Sequence, residues 1–174
     1  MTEGTAGTTY ADLVDRHLAD PGPGTLGPLR SAVRASPTFD PDLDAGQVAR
    51  LLDAAPDTAA RALAAMMPGA LLSPVVHTAL AQALDRLGRA PEASRQRRLA
   101  RAALRGIVAS GDGTRARPWT VLRVSDEYDV LRSLGRRPAS QELVGQAGRE
   151  LDRIECVDGS EAWFDAGGLV VLDA

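Results

Sequence analysis

The first apolar positions of the chain, Tyr10, Leu13, Val14 and Leu18, recur at helical spacing until Asp20-Pro-Gly-Pro-Gly24 interrupts them. A second short helix is predicted from a Thr25 cap through Leu26, Leu29 and Val33 to Ser36-Pro37, and Phe39-Asp-Pro-Asp42 reads as a turn. Asp44 with Gln47 forms a capping-box pair, and Val48, Leu51, Leu52 and Ala55 place one apolar stripe on the helix that follows. Pro56 is expected to end that helix and Asp57 to cap the next, which stops near Pro68-Gly69. Ser73 and Pro74 then open the best-specified helix, because a helix's first position has no intrahelical partner for its N–H and tolerates proline. Its stripe is Leu72, Val75, Val76, Ala79, Leu80, Ala83, Leu84 and Leu87, with Gly88 as the stop. A longer helix, from about Pro91 to Ala109, buries Ala93, Ala100, Ala103, Leu104 and Ile107 and completes a helical hairpin.

The period changes after Ser110-Gly-Asp-Gly113. Trp119 to Val124 alternates as a strand does, and Ser125 is expected to cap a short helix with Asp126 and Glu127 in its first turn, where the helix dipole favours acids. Gly135 stops it. Arg153 to Val157 and Glu161 to Asp165 read as a β-hairpin around Asp158-Gly159, a pair suited to a type I′ turn, and Leu169 to Leu172 reads as a last strand. The expected architecture is α+β: residues 1–8 a disordered tail, 9–110 antiparallel helical hairpins, and 111–174 a small antiparallel β-sheet with one short helix, packed on the last long helix.

Composition narrows the class. Hydrophobic residues make up 44% of 174 positions but aromatics only 3%, so the core is built from Ala, Leu and Val, which favours closely approaching helices. No apolar run approaches bilayer length and the start has no leader-like pattern, so a cytoplasmic location and no membrane partner are expected. Cys156 is the only cysteine, which leaves no internal disulfide and no multi-cysteine metal site, and no cofactor is expected. Charge is unevenly spread. Residues 1–69 hold five arginines against nine acids, residues 70–110 seven against two, and residues 111–174 eight against twelve, so a basic middle lies between acidic ends.

Two resemblances follow from particular residues. Ala81-Gln-Ala-Leu-Asp-Arg-Leu-Gly-Arg-Ala-Pro-Glu-Ala93 resembles half of a tetratricopeptide repeat, with its small residue, Leu-Gly turn and Glu-Ala entry. The order Ile107, Ser110-Gly-Asp-Gly113, Val121, Val124, Glu127-Tyr128 and Leu131, then Gly135, Gln141 and Trp163-Phe164-Asp165, resembles the bacterial domain-of-unknown-function family 4919. Upstream, Leu29-Arg30, Pro37-Thr-Phe-Asp-Pro41 and His77 fit the same pattern, so the resemblance spans most of the chain. It implies a fold and transfers no activity.

Two candidate sites stand out. His77, Asp112, Glu127 and Tyr128 would form a polar centre if they converged where the helical part meets the sheet. Each also has a purely structural reading: His77 as a hydrogen-bonded core residue, and the Asp112 loop as a helix stop, since its glycines follow a helix rather than open one. Arg95, Arg98, Arg101 and Arg105 fall within about one third of a helical turn of one another, opposite the apolar face. That stripe suits a protein or peptide partner, acidic in character, or else pairs with the acidic C-terminal part or stays solvated. An acidic chain with no set of aromatics for base stacking disfavours nucleic acid. The expected function is thus a cytosolic interaction module, with a small enzyme or ligand-binding protein as the alternative.

Overall fold

The computed structural model of the chain describes residues 9–20, 22–146 and 149–167. The expected tail at 1–8 and the expected strand at 169–172 lie outside the described residues. Six helices come first: α1 (Tyr10–Ala19), α2 (Pro23–Arg34), α3 (Ala45–Leu52), α4 (Pro56–Ala65), α5 (Pro74–Arg86) and α6 (Ala90–Val108). They lead into β1 (Trp119–Thr120), α7 (Val124–Ser133), β2 (Pro138–Gln146), β3 (Arg149–Cys156) and β4 (Glu161–Asp165). The chain is α+β in the expected order.

Local chemistry sets most helix ends. Asp44 Oδ1 accepts from the Gln47 N–H at 2.7 Å and Gln47 Oε1 accepts from the Asp44 N–H at 3.2 Å, so the capping box that opens α3 is formed. After α5, the Arg89 N–H donates to Leu84 O and the Gly88 N–H to Asp85 O, both at 2.9 Å, with Gly88 at φ +73°. This pair of hydrogen bonds across a left-handed residue is a Schellman stop, and Gly135 repeats it after α7. Three expected starts move, and one expected capping bond is missing. Proline takes the first position of α2 and of α4, which places Thr25 and Asp57 inside those helices rather than at their caps. Ser73 occupies the N-cap position of α5, but its hydroxyl makes no capping bond. α7 begins at Val124 with Arg123 at its N-cap position and no side-chain capping bond, so Ser125 lies inside the helix, and Asp126 in the first turn reaches back to accept the Leu122 N–H at 3.2 Å.

The sheet order is β1-β4-β3-β2. β2, β3 and β4 are antiparallel, whereas β1 joins β4 in parallel, so the sheet is mixed where an antiparallel one was expected. Only Trp119 and Thr120 of the expected strand to Val124 pair. The β3–β4 turn centres on Val157-Asp158, with the Gly159 N–H donating to Cys156 O, so Gly159 follows the turn at φ +79° instead of forming its centre.

α6 couples the two parts. Ala93 near its start belongs to a core with Val48, Leu63, Val76 and Leu84, while Ile107 near its end packs with Trp119, Val130, Leu131, Ile154 and Phe164. Leu26, Leu29, Val33, Leu72 and Leu122 form a third cluster that brings α2 against the start of α7. Gly111 admits this junction, and it is not the left-handed residue of the helix stop. A Cβ there would lie 2.3 Å from Pro118 O, so Gly111 is required by close backbone approach, and Gly113 carries the positive φ of +74°.

Candidate functional site

α7 presents a buried row of ionisable side chains toward the sheet and the helices. Arg123, Asp126, Glu127 and Asp129 are all less than a tenth exposed. Arg123 is fully buried: its Nε donates to Asp40 O at 2.7 Å, its Nη2 to Gly69 O at 2.6 Å, and its guanidinium lies 4.5 Å from the Phe39 ring centroid. It thus clamps the 39–41 segment and the Gly69 turn to the start of α7. Burial pushes Asp126 up to about 7, against the pull of Arg123, and Asp129 up to about 6, against the pull of Arg132.

Glu127 and Tyr128 belong to a second group. Gln141 on β2 donates from one amide nitrogen to Glu127 Oε2 and to Asp152 Oδ1, both at 3.1 Å, and its oxygen accepts from the Tyr128 hydroxyl at 2.7 Å. Asp152 on β3 shares the core-facing side of the strand with Ile154 and Cys156. Burial, then the charge and hydrogen bond of Asp152, push Glu127 up to about 10. Glu127 Oε1 has no donor beside it, which a retained proton directed at Asp152 resolves. At neutral pH the pair therefore holds a proton. Burial and the neighbouring carboxyls also raise Tyr128.

His77 and Asp112 do not join this group, so the expected four-residue centre is corrected. His77 Nε2 lies 2.7 Å from Leu71 O and Nδ1 lies 2.7 Å from Gln96 Oε1. Burial lowers its pKa against the pull of these two contacts, and both tie the ring into a local structural role. Asp112 is exposed and accepts from the Thr114 hydroxyl and N–H while facing Arg117 at 3.6 Å. The Asp112 and Gly113 N–H groups both donate to Arg117 O and the Thr114 N–H donates to Asp112 Oδ1, so these three amides are committed within the loop. Among the described residues, no hydrogen bond or ion pair links His77 or Asp112 to Glu127 or Tyr128.

The arginine stripe fares differently. Arg95, Arg98, Arg101 and Arg105 are all exposed on α6. The two acids of the basic middle are already taken, Asp85 by Arg97 and Glu92 by Arg89. In the C-terminal part Glu142 and Glu161 pair with Arg153, Asp165 with Arg149 and Asp129 with Arg132. Among the described residues the four stripe arginines have no carboxylate partner, and the one polar side-chain contact is Arg98 to Ser94 Oγ at 3.3 Å.

Sequence reasoning missed Arg123, Gln141 and Asp152. Extending the Ile154, Cys156 alternation back two residues would have placed Asp152 on the apolar face, where an acid needs a partner. Three surface clefts of about 610, 660 and 480 Å³ are lined by residues other than Glu127 and Asp152, and only Tyr128 of the carboxyl group reaches one of them. Among the described residues no helix is long and apolar enough to cross a membrane. Comparison of the chain with protein-family models, with curated proteins and with solved structures finds no match in any of the three.

Proposed function

We propose that the protein is a cytoplasmic, non-catalytic interaction module that docks an acidic protein or peptide segment on the α6 face formed by Arg95, Arg98, Arg101 and Arg105. The observation that carries this reading is that four like charges share one helix face while the neighbouring acids are committed elsewhere. Like charges at i,i+4, as in Arg101 and Arg105, oppose the helix by about 0.2–0.5 kcal/mol per pair, so the face is not explained by stability. Guanidinium groups in a row match carboxylates bidentately, which favours an extended acidic segment over an isolated ion. Kinship with the bacterial domain-of-unknown-function family 4919 is part of the proposal and assigns no chemistry.

The enzyme alternative would need substrate space at the Glu127–Asp152 pair, whose carboxyls are buried under Gln141 and Tyr128. A fold-supporting proton-sharing pair accounts for that geometry better than a reaction centre does.

The test is fluorescence anisotropy with a fluorescein-labelled oligoglutamate peptide. A chain of net charge −3 has no general attraction for such a probe, so binding reports a local basic face. Saturable binding is expected that weakens as the Debye length falls from about 10 Å at 0.1 M salt to about 3 Å at 1 M, and that the R98E/R101E variant loses. Equal binding by the variant would reject the face.

A further inference from the structure

The cleft of about 660 Å³ lies between α2, the C-terminal half of α6 and the start of β1. Its size is that of a small-molecule site. The wall is apolar and open: Leu26 is buried at the back, Leu104 is half-buried, and Val108 remains 38% exposed. Gly106 brings α2 and α6 together there, since a Cβ at that position would sit 3.3 Å from Leu26 Cδ2.

Polar side chains from three helices also line the cleft. Arg30 reaches from α2 and is oriented by donating its Nη2 to Thr120 O at 2.6 Å, while its Nε and Nη1 meet no partner among the described residues. Arg105 stands at the rim, also unpaired. His17 adds a ring whose Nδ1 lies 3.1 Å from Thr25 Oγ1 and whose charged form is disfavoured, first by burial and then by Arg30. Among the described residues no carboxylate lines the cleft. Asp126 approaches Arg30 from the core side, across a void of about 10 Å³ lined by both, and with its pKa pushed up to about 7 it offsets only part of that charge. The cleft therefore combines an apolar wall with two arginines and no acid among its described lining residues.

We propose that it binds a small amphipathic anion, an apolar chain or ring bearing one carboxylate, with the carboxylate between Arg30 and Arg105 and the apolar part along Leu26, Leu104 and Val108. This site is separate in kind from the α6 face: one charge and an apolar tail suffice for it, whereas the face takes several charges and no tail.

Isothermal titration calorimetry of the full chain with decanoate tests it, with decyltrimethylammonium and acetate as controls for charge and tail. One-site decanoate binding is expected, with neither control binding, and Arg105→Gln should weaken it at least about tenfold by removing one guanidinium partner. Ala102→Phe, which fills the cleft from α6, should abolish it while the thermal transition stays cooperative. If that variant fails to fold, Arg105→Gln alone decides. Absence of saturable decanoate binding, equal binding of the cation, or an Arg105→Gln variant with wild-type affinity would each overturn the proposal.

Discussion

Glutamine at position 127 should make the protein less sensitive to rising pH. Glu127 is fully buried and holds a proton that the unfolded chain releases at its ordinary value of 4.5, whereas in the fold it is pushed up to about 10. Between those values the native state binds more protons than the unfolded state, so the stability associated with Glu127 is fully present below about pH 4.5 and is lost as pH rises toward 10. The loss runs at about 1.4 kcal/mol per pH unit, or roughly 3 kcal/mol between pH 6 and pH 8. Glutamine keeps the geometry, because its carbonyl can accept from Gln141 as Glu127 Oε2 does and its amide can donate to Asp152. Asp126 and Asp129 drift in the same direction over their own windows, and His17 and His77, both lowered, drift in the opposite one, but all four are common to the two proteins. The quantity to measure is the difference between wild type and E127Q in urea denaturation at pH 6, 7 and 8. It should shift in favour of the variant by roughly 3 kcal/mol across that range. Parallel stability curves would show that Glu127 is ionised in the fold and refute the shared-proton account.

Two further changes probe the frame around the site. Gly113→Ala sets a Cβ at φ +74° and 2.5 Å from the Trp119 ring, so a loss of about 3 kcal/mol and a shifted tryptophan emission are expected; a wild-type melting temperature would contradict the loop geometry. Arg123→Met leaves the carbonyls of Asp40 and Gly69 without their buried donor and Asp126 without its neighbouring positive charge, and should cost about 3 kcal/mol or more in chemical denaturation, whereas a neutral effect would show that the clamp contributes nothing net.

What could be read from the chain alone was what is local. The Asp44–Gln47 box and the Gly88 and Gly135 stops involve residues a turn or less apart, so their chemistry is visible in order. β2 was missed because it is an edge strand with little apolar signal: Leu143 is 41% exposed, Gln141 and Glu142 are polar, and Pro138 opens it. Asp126 and Glu127 read as acids favoured by the dipole at a helix start, and only the packing of α2, α5 and the sheet around α7 makes them buried. The glycine turn was legible but the roles within it were not, since they depend on the loop folding back so that Arg117 O meets two N–H groups. That the four arginines share one face followed from helical spacing, whereas the exposure of that face and its lack of acidic partners depended on how Arg149 and Arg153 meet the C-terminal acids.

The central claim is that the α6 arginines form the partner surface, and side-chain NMR tests it most directly. In a titration of isotopically labelled protein with the oligoglutamate peptide, the Nε–Hε signals of Arg95, Arg98, Arg101 and Arg105 should move together and saturate, and should return as salt rises from about 0.1 M to about 1 M. Arg149 and Arg153, already paired with Asp165 and with Glu142 and Glu161, should stay in place. Shifts centred on Arg149 and Arg153, or spread evenly over the arginines of the chain, would contradict the account.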